Sequence, residues 1–289
     1  MAAAYIFVPF ALLPYQTAKV VWNLLSLIMY LLSVVLILQL EKVSQQRCIE
    51  YLSISLIWFP FLFSQYFNQS NVIILLFVSL AILAASKEKP YLSGIFISIA
   101  SLFKLFPIVL ALVFGIRNWR ILFMFGLIFI LSLLIPGSLE WFTSIRVIFP
   151  RYSSIYLLLN KLGIYWYYIY DATIILAKAI VVYRAKAASY LQLAAIAITA
   201  VFLVMPLIKY HHLTLLVVSF AYLFSVIKNM PRTMMYLTIL AYFMINFYIN
   251  FSLQVIPAIG LLLIWFVLTI SIIQTDKNAE RFDCFNVKL

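Results

Sequence analysis

Long apolar runs separated by short polar breaks recur along almost the whole 289-residue chain, near 18–40, 51–66, 71–86, 91–116, 120–136, 164–183, 189–206, 213–227, 233–250 and 255–274. Runs of about 17 to 25 apolar residues can cross a hydrocarbon core about 30 Å thick as helices. The alternating apolar and polar positions of barrel strands are missing, and backbone in lipid must satisfy its own hydrogen bonds, so helices are the remaining spanning structure. The pattern predicts an all-α, polytopic transmembrane helical bundle of about nine to ten membrane segments. It forms a single domain over 1–274, followed by a short cytoplasmic tail at 275–289.

One run disturbs the alternation of sides. "KEKP" at 87–90 and "RNWR" at 117–120 are both basic, so both belong on the cytoplasmic side, although a single apolar run lies between them. That run carries Lys104 and Pro107 at its middle. A turn there makes two arms too short to cross the membrane singly, and Pro107 disfavours helix at Phe106 and removes one donor. A charge at the bilayer centre costs roughly 2.5–3.5 kcal/mol and survives when it faces water, a partner or an anion. The span at 91–116 is therefore broken or re-entrant, with Lys104 at its tip; the alternative is one long kinked helix whose lysine snorkels outward.

Composition sharpens this picture. Residues are 67% hydrophobic and 10% charged, and mean hydropathy is +1.13, far from a soluble domain. The net charge of +12 is spread as single or paired Lys and Arg at the ends of runs, which is topology information and not a nucleic-acid footprint. By the positive-inside rule, the side carrying Lys42, Arg47, Lys87, Lys89, Arg117, Arg120, Lys228 and Arg232 is the cytoplasm. Cys48 and Cys284 fall on that side, too far apart for a zinc motif and unsuited to a disulfide. The first basic residue, Lys19, follows the first apolar run, so no signal peptide is visible. Residues 1–16, with Pro9 and Pro14, read as an interfacial segment on the outer side.

Four stretches together resemble glycosyltransferase family 87, polytopic enzymes of the GT-C class. They are "YIFVPFALLPYQTAKVVWNL", with prolines and then a Trp and Asn; "NQSNVIILLFVSLAI", where Asn68 stands at a family glycine; "YLSGIFISIASLFKLFPIVLALVFGIRNWR"; and "MPLIKYHHLTLL", with Met205 and Lys209 at the family's Ser and Trp positions. The resemblance runs from about residue 5 to 225 in matching order. It implies sugar transfer from a polyprenyl-phosphate-linked donor to a lipid or glycan acceptor on the outer face of a plasma membrane, such as a bacterial inner membrane, with no cofactor. The early catalytic aspartate of the GT-C class has no counterpart, since the first acid is Glu41, and this suggests a chain lacking the family's N-terminal helix and catalytic loop.

Inverting transfer needs a base for the acceptor hydroxyl and a positive partner for the departing phosphate. Lys104, Lys209, Arg146 and Arg151 are the candidate phosphate partners, although Arg146 and Arg151 serve equally well as headgroup contacts. Asn68, Gln69 and Asn71 can bind sugar hydroxyls or cap the helix beginning near residue 71. His211 and His212 are weak catalytic candidates; on an α-helix they diverge by about 100 degrees, so one faces a shared cavity and the other serves structure. Glu140 and Asp171 are the outer acids, neither at the family position, and the catalytic residue stays unassigned. Aromatics such as Trp141 and Trp166 suit sugar stacking or an interfacial belt. No metal site is expected. The alternative to an enzyme is a lipid-binding or transport protein with a similar cavity, which paired broken helices would favour; only one broken span is visible in sequence.

Overall fold

The computed structural model describes residues 2–41, 43–135, 174–175, 188–204, 210–246 and 255–286, and the described residues form helices without strands. After helical turns at Ala2–Phe7 and Val8–Ala11 come α1 (Tyr15–Leu40), α2 (Gln45–Leu56), α3 (Phe59–Tyr66), α4 (Asn71–Ser86), α5 (Pro90–Phe103), α6 (Ile108–Arg117) and α7 (Trp119–Leu133). The second half contributes α8 (Tyr190–Val204), a 3-10 segment (Tyr210–Leu216) leading into α9 (Val217–Val226), then α10 (Arg232–Asn246) and α11 (Val255–Asn286). Among the described residues, three helices are long and apolar enough to cross a membrane: Tyr15–Leu40, Tyr210–Asn229 and Ile256–Gln274. Other apolar helices, α4 to α8, are 10–17 residues long. The last helix runs through 275–286, where a separate tail begins in the sequence reading.

The run expected at 51–66 starts earlier and is broken. α2 and α3 meet at Ile57–Trp58 with a bend of 51°. Pro60 sits in the first turn of α3, where its missing N–H costs no helical bond. The freed Phe59 N–H donates to Asn246 Oδ1 at 2.7 Å, so α10 repairs the break. A second broken segment is thus present beside the one visible in sequence.

The chain reverses at Lys104–Pro107. A Cβ placed on Gly94 would lie 2.6 Å from the Ile121 carbonyl oxygen, and one on Gly115 would lie 2.8 Å from Leu122 Cβ. In one continuous helix, Gly94 and Gly115 would be about 31 Å apart at 1.5 Å per residue. Instead they rest on successive residues of α7, so α5 and α6 form a helical hairpin. Small residues permit this approach. Ser93 Oγ donates to the Ala81 carbonyl at 3.0 Å and Ser98 Oγ to the Phe125 carbonyl at 3.1 Å, tying α5 to α4 and α7.

These contacts orient the bundle. α5 runs antiparallel to α4, with Ser93 on Ala81 at one end and Lys104 on Asn71 at the other. α6 runs antiparallel to α8, pairing Phe114 with Tyr190 and Phe106 with Phe202. Two ends result. One holds Lys87, Lys89, Arg117, which donates to the Ala188 carbonyl, and Arg47, which donates to Ser225. The other holds Lys104, Asn71 and the histidines. Between them lies one continuous apolar core, with Tyr30, Trp58, Phe114, Phe202 and Tyr222 among its largest buried side chains.

Gly94→Val should destabilise the protein by about 1–3 kcal/mol, because a backbone carbonyl cannot yield to the new methyls. Gly126→Ala, with nothing within 4 Å of the added Cβ, should not destabilise it. Thermal unfolding in one detergent compares the two. At the basic end, burial holds the Glu41 carboxyl above its usual range, only partly offset by the hydrogen bond from Ser225 Oγ. The unfolded chain therefore ionises first as pH rises through the ordinary carboxylate range, and stability falls until the raised value is passed. Glu41→Gln should raise the melting temperature at neutral pH, with the gain vanishing in acid.

Candidate functional site

Lys104 ends α5 in an extended conformation, φ −152° and ψ 139°, and its side chain turns back toward α4. Its Nζ donates to Asn71 Oδ1 at 2.7 Å, and Asn71 Nδ2 donates to Ser64 Oγ at 3.2 Å. Asn71 is fully buried as the first residue of α4. The lysine fixes which way the amide points: an ammonium only donates, so Oδ1 faces Lys104 and Nδ2 is left to donate to Ser64 Oγ. A chain of three polar groups thus crosses from α3 through α4 to the hairpin tip.

The 3-10 segment closes the other side. His211 and His212 rings are 4.5 Å apart at 80°. His211 stacks against Phe63 at 6.5 Å, next to Ser64 in sequence, while His212 lies 6.2 Å from Phe106, two residues beyond Lys104. The sequence reading gave only one imidazole access to this region. The structure sets the His211 ring against α3 and the His212 ring against the hairpin, on a 3-10 segment that begins at Tyr210, ahead of the helix start expected at 213; at three residues per turn adjacent side chains diverge by about 120 degrees, so the two rings meet different neighbours. Thr214 Oγ1 anchors the segment through the Pro60 and His211 carbonyls, and the Tyr210 hydroxyl donates to Ile245.

Asn68 and Gln69 close the preceding helix. Asn68 has φ +50°, and its N–H donates to the Gln65 carbonyl while the Gln69 N–H reaches the Ser64 carbonyl. This is a left-handed helix stop that favours glycine and tolerates asparagine. The Gln69 side chain donates to the Phe67 carbonyl at 3.3 Å, and Ser70, at the N-cap of α4, makes no side-chain cap. Capping of α4 is therefore not what these side chains do. Lys209, Arg146, Arg151, Glu140, Asp171, Trp141 and Trp166 lie outside the described residues.

The opening stretch arrives at the same end. Phe7 contacts Trp22 at 5.2 Å and Phe103 at 6.4 Å, and Phe10 meets Trp22 at 5.6 Å. Four stretches far apart in sequence thus gather around the hairpin tip. The model of glycosyltransferase family 87 matches residues 1–225, which include all four. The chain belongs to glycosyltransferase family 87. It is a glycosyltransferase, and its apolar helices make it a membrane protein. No curated protein and no solved structure matches it.

Within this family member, sequence reasoning missed Ser64, Phe63 and the unpartnered polar atoms of α1. Ser64 was hidden because its role depends on Asn71 turning toward it. Among the described residues, no cluster of His, Cys, Asp or Glu could hold a metal ion. Asn68→Gly should keep the fold within about 0.5 kcal/mol, whereas Asn68→Val should cost roughly 1–3 kcal/mol, because a β-branched side chain is strained at positive φ. Melting temperatures of the two variants check this.

Proposed function

We propose that this glycosyltransferase moves a hexosyl group, such as mannosyl, from a polyprenyl-phosphate sugar to a lipid or glycan acceptor on the outer face of the plasma membrane. The observation that carries the reading is the hydrogen-bonded Lys104 at a hairpin tip, beside two histidines and at the end of the bundle opposite Arg47, Lys87 and Arg117. The positive-inside rule assigns that basic end to the cytoplasm, so the lysine and imidazoles face outward. The hairpin arms are 14 and 10 residues long, which sets the tip within the bilayer's depth and not beyond it. On the apolar runs of its sequence, the chain makes nine to ten membrane segments in a GT-C-like arrangement.

In the reaction, an acceptor oxygen attacks the anomeric carbon, the bond to phosphate oxygen breaks, and the polyprenyl phosphate departs with the electron pair. Lys104, oriented by Asn71, meets the charge that develops on phosphate, and Lys209, Arg146 and Arg151 are its candidate partners on the same face. An imidazole of His211 or His212 takes or relays the acceptor proton. Asn68 and Gln69, at the turn before Asn71, are the candidate partners for sugar hydroxyls.

The test is transfer from labelled polyprenyl-phosphate hexoses by the full-length protein in nanodiscs. Lys104→Met should lower turnover about 100-fold, with Lys104→Arg retaining more, and His211→Ala or His212→Ala should lower it by about 100-fold or more. Absence of transfer from every such donor, or full activity with Lys104 and both histidines replaced, would sink the proposal. Reporter fusions at residues 3, 88 and 118 check the orientation independently.

A further inference from the structure

The inward face of α1 changes character toward the Lys104 end. At its middle, the Tyr30 ring stacks on Phe61 of α3 at 3.9 Å and its hydroxyl donates to the Ser55 carbonyl, so both apolar and polar needs are met. Toward the site, Ser26 and then Trp22 follow Tyr30 at one-turn steps on α1, and Gln65 follows Phe61 by one turn on α3, with Asn68 in the stop beyond it. Trp22 Nε1, Ser26 Oγ, Gln65 Oε1 and Asn68 Oδ1 are all buried atoms with no hydrogen-bond partner. Trp22 and Ser26 are only 6% and 1% exposed.

Such atoms are rare, because each unsatisfied buried group carries its full desolvation cost. Ser26 does not even take the local remedy. Ser33 on the same helix donates to the Met29 carbonyl at 2.6 Å, and Ser79 and Ser98 likewise bond back one turn. The Ser26 hydroxyl leaves the equivalent carbonyl alone. These four atoms are neutral, two from donor-capable groups on α1 and two acceptors on α3 and its stop, and the acceptor Asn23 Oδ1 on α1 is likewise buried and unmet. That mixture suits a ring of hydroxyls, each both donor and acceptor, and does not suit a phosphate or carboxylate.

We infer that α1 and α3 line a neutral subsite in which Trp22 and Ser26 recognise the hydroxyls of the donor's sugar ring, next to the Lys104 position that takes its phosphate. This rests on the donor reading above and adds the residues that distinguish a sugar-bearing lipid from a bare one. The juxtaposition follows from Phe7, which touches both Trp22 and Phe103, the residue before Lys104. Because the four atoms are buried, admitting a ring requires neighbouring side chains to move.

The experiment measures binding of polyprenyl phosphate and of polyprenyl-phosphate hexose to the full-length protein in nanodiscs. Wild type should prefer the sugar-bearing lipid, and Trp22→Phe and Ser26→Ala should each cut that preference about 3- to 10-fold, the worth of one hydrogen bond, while changing affinity for the bare lipid less than about 2-fold. Ser26→Ala should melt no lower than wild type in the absence of lipid, since it removes an unpartnered buried group, whereas Trp22→Phe also gives up packing against Phe7 and Phe10 and is read on the preference alone. Gln65→Leu provides a third variant from α3. An unchanged preference in Trp22→Phe and Ser26→Ala, or a lowered melting temperature of Ser26→Ala with the preference intact, would overturn the subsite and make these groups internal partners. Equal wild-type affinity for the two lipids would overturn the subsite alone; affinity for neither would overturn the donor reading with it.

Discussion

An ammonium group set among apolar helices must be held, and Asn71 holds it. The bond from Lys104 to Asn71 has geometric consequences well beyond one contact. It requires α5 to end level with the start of α4, so the chain must turn at once if it is to return to the basic end. Pro107 supplies the break in helical hydrogen bonding, and Gly94 and Gly115 let both arms of the resulting hairpin lie against α7. Lengthening α5 by a turn would carry the lysine past its partner and separate it from His212 by the same step.

Breaks in helices recur where polar groups collect, and for one reason. A helix in lipid satisfies its backbone internally and presents only side chains, so a polar cavity at depth has to be lined by helix ends, turns and 3-10 segments buried in protein. The hairpin tip, the stop at Asn68, the first residue of α4 and the 3-10 segment carrying His211 and His212 are four such places, and they converge. The bend at Ile57–Trp58 is a fifth break, repaired by Asn246 at a distance from the lysine. Paired broken helices are also a feature of transporters. Here the family assignment decides in favour of sugar transfer.

The two ends of the bundle divide the chemistry. Arg47 and Arg117 donate to backbone carbonyls and lie over Phe224 and Tyr190, the behaviour of residues that anchor an interface. Lys104 instead meets a side-chain amide that is itself held by a hydrogen bond to Ser64. A group positioned through a second group in this way is suited to a ligand, because its direction is fixed before the ligand arrives.

The all-helical membrane class was legible in the chain because desolvating a backbone leaves few solutions and apolar runs record which one was taken. The reversal at 104–107 was legible too, since basic residues on both flanks of one run conflict with a single crossing. Asn68 could be read only as a departure from a family glycine; its positive φ supplies the reason, as both residues can adopt a left-handed helix stop. Other features needed three dimensions. Nothing in the spacing of Ser64, Asn71 and Lys104 announces a hydrogen-bonded chain, or that His211 and His212 meet Phe63 and Phe106. The bend between α2 and α3 is likewise set by an acceptor on α10, remote in sequence. Periodicity fixes what each helix turns toward its surroundings, but which groups meet depends on where helices end relative to one another, and that is decided only when they pack.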